Sequence, residues 1–375
     1  VTSHFLEHTF DAKSIRGEID LLALHASDRA GILDGVDRAV VWDVDLTTRF
    51  RGITRRDGVL LHGPGGWGEV APFWDYGPEE AAPWLASALD SAVRGHDDLP
   101  RHRDTVPVNV TVPEVDEVSA HALVLSSGAT TAKVKVGSSR TVRGTALADD
   151  LHRLAAVRDA LGPSGRIRID VNGAWDLETA RANVPLLNAA AKGLEYVEQP
   201  CASVEDMAAL RRVVDVPIAA DESIRLSEDP LAVARLEAAD IAVLKVAPLG
   251  GVHRALELAE RLGLPAVVSS ALDTSVGIAA GAALAAALPD LNHACGLGTV
   301  SMLTRDVAVP SVAPVRGTLE VKPAHVSKAL LGSTLADAEV TGHWQVRLSH
   351  LVAALTARRE REAWGPATAV AGLPL

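Results

Sequence analysis

TAKVKVG (131–137), RIRIDVNG (166–173), LEYVEQP (194–200), VPIAADES (216–223) and IAVLKVAP (241–248) are short apolar runs, each carrying a charged residue at or near its end. Between them lie amphipathic stretches such as TALADDLHRLAAVRDALG (145–162), LETARANVPLLNAAAKG (177–193) and VHRALELAERLG (252–263). All three close on glycine, the usual residue after a helix C-cap, shortly before the next apolar run. Short strands alternating with helices of this length predict right-handed βαβ units and a parallel sheet. VPVNVTV (106–112), PAVVSS (265–270) and HACGLG (293–298) bring the strand candidates to eight. The expectation is an α/β fold, a TIM-type (β/α) barrel over 105–305, modified at its short, glycine-rich last strand.

The segment before the barrel reads differently. AVVWDVDLTTRF (39–50) and GVLLHGPGGWGEVAPF (58–73) predict antiparallel strands with a Gly/Pro turn, and EEAAPWLASALDSAVRG (79–95) predicts a helix. Residues 36–104 are therefore expected to form an α+β capping domain. Residues 306–375 are expected to return to that cap and finish in a helix from Val346 and a frayed tail. Residues 1–35 form an N-terminal extension with no assignment.

With 375 residues, close to half of them hydrophobic, the chain can hold one large barrel and a small domain. A formal net charge of −12 argues against nucleic-acid or membrane partners. No transmembrane run or signal peptide is visible, and two cysteines suit a reducing cytoplasm. Monomer and small homo-oligomer both stay open. Arg49, Arg51, Arg55 and Arg56 cluster within eight residues, either as a solvated loop or as an anion-attracting one beside the site.

In a TIM barrel the active site lies at the C-terminal ends of the strands. Lys133 and Lys135, two apart on one strand, share a face and enter the lumen. Asp170, Glu198 and Asp221 end successive runs, and Lys245 follows on the next. Three converging carboxylates with no His or Cys suit a hard divalent cation, Mg²⁺ with Mn²⁺ as a substitute. A lysine beside such a cation and another lysine has its pKa lowered and can act as a base. The proton within its reach is the α-proton of a bound carboxylate, and the resulting dianion needs the electrostatic help that Mg²⁺ supplies. The plain alternative is a set of structural salt bridges.

On GGWGEVAPF (65–73), AKVKVG (132–137), DVNGAW (170–175), EQPC (198–201), ADES (220–223), LKVAPLGG (244–251), SSALDTSVG (269–277) and ACGLGT (294–299), the chain resembles the enolase superfamily over most of its length. Within it, the chain is similar to the o-succinylbenzoate synthase family of menaquinone biosynthesis in its actinobacterial form. The resemblance implies Asp170, Glu198 and Asp221 as Mg²⁺ ligands and Lys135 as the base. Lys135 would return its proton to the departing hydroxyl, a syn dehydration of 2-succinyl-6-hydroxy-2,4-cyclohexadiene-1-carboxylate. Lys133 would tune Lys135, and Lys245 would stabilise the anion from the opposite face. Asn172 is either a βα-turn residue or a neighbour of the metal. Ser269 and Ser270 either bind the small dicarboxylate substrate or cap the next helix, and Arg51 belongs to the loop that closes over it.

N-acylamino-acid racemisation uses the same metal and opposed lysines, so it stays open. Dipeptide epimerases carry an Asp-x-Asp where this chain has HACGLGT, and the late-strand histidine of sugar-acid dehydratases has no equivalent. A barrel without catalysis is the remaining class. His4 to His8 match an inverted zinc-protease pattern by chance, and Gly63–Gly68 lacks the Lys-Ser/Thr of a phosphate loop. Trp67, Trp74 and Trp84 are expected in the cap's core, and His293 and Cys295 either line the barrel's end or, as such residues more often do, belong to the packed core.

Overall fold

The computed structural model describes residues 17–137 and 146–364; the His4 to His8 pattern lies outside them. Strands β1 (Arg38–Phe50), β2 (Ile53–Gly63) and β3 (Gly66–Val70) form an antiparallel sheet in sequence order. Arg51 and Gly52, both at positive φ (48° and 83°), make the two-residue turn between β1 and β2. Ala39, Val41, Val59 and Leu61 face the helices of the cap, while Val40, Trp42, Val44 and Leu60 join the barrel core. Burial on both faces explains the unbroken apolar runs. Helix Pro78–Leu89 packs against the long helix Ala338–Trp364, which begins well before the expected Val346. Residues 17–35, left unassigned by the sequence, supply helix Leu21–Ser27 and place Ile19, Leu24, Ile32 and Leu33 in the same core.

Seven parallel strands make the barrel sheet: β5 (Val110–Val112), β6 (Thr131–Lys135), β7 (Arg166–Asp170), β8 (Val197–Glu198), β9 (Ile218–Ala220), β10 (Ile241–Lys245) and β11 (Ala266–Ser269). Segment 293–298 closes it with isolated bridges rather than a full strand. Cys295 N donates to Pro107 O (2.7 Å) and Asn109 N to Cys295 O (2.9 Å) on one side. Gly296 N donates to Val268 O (2.8 Å) and Ser270 N to Gly296 O (3.0 Å) on the other.

The 106–112 run is not one strand. Its first half, β4 (Thr105–Pro107), pairs antiparallel with β12 (Thr318–Glu320) outside the barrel. Pro107 has no N–H to donate, so the run changes partners there. Trp74 is another correction: it is 52% exposed, with Arg347 over its ring at 4.3 Å, whereas Trp344 fills the cap core with Trp84 and Trp42 lies in the barrel core. No helix among the described residues is long and apolar enough to cross a membrane.

Candidate active site

Strand register sets the site. Lys135 lies opposite Asp170 and Asp170 opposite Glu198, so three strand ends present their charges at one level. One step down, Lys133 lies opposite Arg168. Alternation puts these side chains into the lumen, with Tyr196, Ala219, Ile241, Val243 and Val267 packed together beneath. The floor is closed by Arg168, fully buried, which donates to Tyr196 Oη (2.8 Å) and Ala294 O (2.7 Å) and pairs with Glu195 (2.6 Å). His293 bonds Glu195 as well (2.8 Å), so it belongs to this floor and not to the reacting end.

At the mouth, Lys133 Nζ lies between Glu198 Oε1 (3.0 Å) and Asp170 Oδ2 (3.2 Å). Lys135 Nζ donates to Asp170 Oδ2 (2.5 Å) and Asn172 Oδ1 (2.7 Å). Lys245 Nζ donates to Asp221 Oδ2 (2.5 Å) from across the lumen. Asp170, Glu198 and Asp221 are all buried. Burial opposes the charge of Asp170, but Lys135 and Lys133 outweigh it and hold the carboxyl far below its ordinary value. Burial likewise opposes Asp221, and Lys245 with Arg225 keep it low. Glu198 goes the other way, to about 7, through burial and then the charge of Asp170. Lys133 answers to the two carboxylates beside it. Burial lowers its pKa, yet Glu198 and Asp170 raise it above the usual lysine range.

Asn172, at φ 52°, is a turn residue with contacts to the site. Its Oδ1 accepts from Lys135, and its Nδ2 donates to Glu222 Oε1 (3.2 Å). Ser269 is buried and lines the cavity. Ser270 Oγ donates to Gly296 O (2.6 Å) and meets Thr299 Oγ1 (2.7 Å), pinning β11 to the closing segment. Neither serine caps the following helix, whose N-cap is Thr274. Of the four clustered arginines, Arg49 and Arg51 line the cavity. Arg51 stacks on Phe73 (4.3 Å) and reaches Asp75 (3.4 Å). Arg55 turns away to Asp43, and Arg56 is buried against the carbonyls of Ala71, Ala271 and Leu272.

Arg225 went unread in the sequence. It pairs with Asp221 (3.0 Å) and Glu222 (2.7 Å) and donates to Tyr76 Oη (3.0 Å) of the cap. Its position four residues after Asp221 on a helical turn was the available signal. Gln199, at φ 39°, also went unread beyond its motif. Its Oε1 accepts from the backbone of Asp221 (3.0 Å) and Ser223 (3.1 Å) and so orients both.

Among the described residues no three His, Cys, Asp or Glu side chains stand together as a ready ligand set, because an ammonium group is set against each carboxylate. The donors nevertheless suit a hard cation. Asp170, Glu198 and Asp221 offer only oxygen, and buried Glu222 Oε2 has no hydrogen-bond partner. The lysines, Asn172, Arg225 and the cap hairpin enclose a cavity of about 830 Å³. Among the described residues no histidine lines it, and the closing segment with the residue after it contributes Gly296 and Thr299 without a carboxylate.

Residues 117–325 match the family described as enolase C-terminal domain-like, and residues 41–92 match enolase N-terminal domain-like. The o-succinylbenzoate synthase of Thermobifida fusca is 55% identical over 307 residues, covering 82% of this chain and 93% of that one. The o-succinylbenzoate synthase of Mycolicibacterium smegmatis is 51% identical over 315 residues, covering 84% and 94%. Among solved structures, the L-Ala-D/L-Glu epimerase of Bacillus subtilis aligns with a TM-score of 0.65 at 21% identity, over 77% of this chain and 96% of that one. The muconate lactonizing enzyme of Pseudomonas fluorescens aligns at 0.64 and 23%, over 82% and 97%. At such identities the structural matches speak for the fold alone.

Proposed function

The chain belongs to the enolase superfamily and, within it, to the o-succinylbenzoate synthase family, and on that premise we propose that it is a lyase removing water from 2-succinyl-6-hydroxy-2,4-cyclohexadiene-1-carboxylate to give o-succinylbenzoate for menaquinone biosynthesis. The observation that carries this reading is the common level of Lys135, Asp170 and Glu198 in the strand register, with Lys245 facing them across the cavity. In this reading Asp170, Glu198 and Asp221 hold Mg²⁺, for which Mn²⁺ would substitute. The cation would supply electrostatic stabilisation for the negative charge that grows on the substrate carboxylate.

Lys135, released from Asp170, takes the α-proton and returns it to the departing hydroxyl on the same face. Asn172 keeps Nζ directed through its 2.7 Å contact. Lys133, buried and charged, stays protonated between Glu198 and Asp170 and orders both. Lys245 remains a cation on the opposite side of the ring. The mouth holds four cations, Lys133, Lys135, Lys245 and Arg225, against four carboxylates, Asp170, Glu198, Asp221 and Glu222. A divalent ion added to this balance, with Lys135 neutral as the proton acceptor, leaves one positive charge, which favours an anionic substrate. Ser269 and Arg51 line the space left for its second carboxylate, while Ser270 shapes the wall. The work is assigned to the cytoplasm, by a monomer or small homo-oligomer.

A second reading, N-acylamino-acid racemisation, is favoured by one observation: Lys135 and Lys245 both line the cavity, from β6 and β10. The test is an ultraviolet assay of Mg²⁺-loaded protein with the cyclohexadiene carboxylate, beside Lys135→Ala. Conversion should fall by about 10²–10⁴ in the variant and vanish with EDTA. No conversion by the wild type, together with racemisation of N-acylamino acids, would retain the lysines' roles and overturn the substrate.

A further inference from the structure

A second cleft of about 420 Å³ lies away from the lysines, lined by Arg94, Arg254, Arg358 and Arg359. The four come from three elements: the helical turn Asp90–Arg94 that follows helix Pro78–Leu89, barrel helix Val252–Leu262, and the terminal helix Ala338–Trp364. Their convergence runs against the protein as a whole, which carries a net charge of −12. Two acids share the cleft, Asp34 and Asp90, and Arg94 pairs with Asp98 (2.8 Å). Asp90 is committed elsewhere: it accepts from the backbone N–H of Val252 (2.8 Å), and its Oδ1 lies 2.7 Å from His253 Nδ1. Ile32, Pro83, Leu89 and Leu355 give the cleft an apolar wall.

Grouped guanidinium groups around an apolar wall recognise an anion that carries a hydrophobic body, since planar N–H forks match phosphate and carboxylate oxygens. We propose that this cleft binds a small dianion, a phosphate or multicarboxylate on an apolar body, at a site separate from the substrate cavity. The two spaces are back to back. In helix Pro78–Leu89, Trp84 lines the substrate cavity, whereas Pro83, Ala86 and Leu89 line the cleft. In the segment after Lys245, Pro248 lines the cavity and Gly250, at φ 90°, lines the cleft. Helix Pro78–Leu89 and the segment 246–250 each contribute to both walls, so an anion seated in the cleft acts on the position of Trp84 and Pro248 and thereby on substrate affinity.

The probe is phenyl phosphate, titrated calorimetrically beside inorganic phosphate into the Mg²⁺-loaded protein. Phenyl phosphate is expected to bind more tightly than inorganic phosphate, through the apolar wall. Its affinity should fall at least tenfold in Arg94→Gln/Arg359→Gln and stay unchanged in Lys135→Ala, which alters only the substrate cavity. The double variant changes two exposed side chains and should keep the unliganded turnover, which verifies its folding. Saturating phenyl phosphate should shift the apparent KM of the wild type and leave that of the double variant alone. Equal binding by the double variant, or loss of binding in Lys135→Ala, overturns the site. Intact binding with an unmoved KM overturns the communication between the two spaces.

Discussion

Glu69 of the cap accepts from the backbone N–H of Thr274 (3.1 Å) and from its hydroxyl (2.7 Å), so a carboxylate from one domain serves the N-terminus of a helix in the other. The helix is Ser275–Ala287, and Gly277 N donates to the same carboxylate at 2.9 Å. Arg56, also of the cap, holds the carbonyls of Ala271 and Leu272 in the loop just before it, each at 3.3 Å. That loop lines the substrate cavity, and its Leu272 sits at φ 65°. The cap therefore fixes a wall of the site as well as covering it.

Glu69 is buried, and burial followed by the charge of Asp273 raises its pKa to about 7. A carboxyl whose folded value lies above its unfolded value stabilises the protein fully below the unfolded value and loses that contribution as pH rises through the folded one. From the ordinary 4.5 to about 7, the difference amounts to about 3 kcal/mol. Urea unfolding of wild type and Glu69→Gln should therefore diverge with pH, the wild type losing about that much relative to the variant between about pH 5 and pH 8. Parallel stability curves would refute the assignment.

Lys133→Met removes the ammonium between Glu198 and Asp170. Leaving buried carboxylates without their partner typically costs about 3–5 kcal/mol. Thermal melts in EDTA should show that loss, and Mg²⁺ should restore more stability to the variant than it adds to the wild type. Equal Mg²⁺ responses would mean that the cation is held elsewhere.

Tyr76→Phe deletes a hydroxyl that links the cap to Arg225 and, through it, to Asp221 and Glu222. A lost hydrogen bond to a charged group corresponds to about 1.5 kcal/mol, or roughly a tenfold rise in KM with kcat little altered. If steady-state kinetics show kcat falling instead, the contact orders the reacting groups and not the closed cap.

Gly68→Ala would drive a Cβ into the carbonyl of Ala88, where β3 crosses helix Pro78–Leu89. Overpacking of a close backbone approach destabilises by about 1–3 kcal/mol. Differential scanning calorimetry should register it as a lower Tm, and an unchanged Tm would show that strand and helix separate freely.

The strand–helix alternation, the lumen face of Lys133 and Lys135, and the charged strand ends were legible in the chain itself. Periodicity and strand-end position are local properties: a side chain two residues from another shares its face whatever the rest of the protein does. The weak eighth strand was legible too, since HACGLG is too short and glycine-rich to build a ladder and closes the barrel with bridges alone. Only the tertiary structure could decide what lies opposite what. Nothing near Glu69 in sequence foretells that it caps a helix some two hundred positions later, nor that Arg56 and Arg51, five residues apart, serve a buried clasp and an open cavity. The same holds for Arg168 plugging the floor under Lys133, and for Pro107 sending half of a continuous apolar run out of the barrel. A residue's environment is a sum over neighbours brought in by chain return. That sum determined whether Lys133 lost or gained proton affinity: two carboxylates outweighed burial.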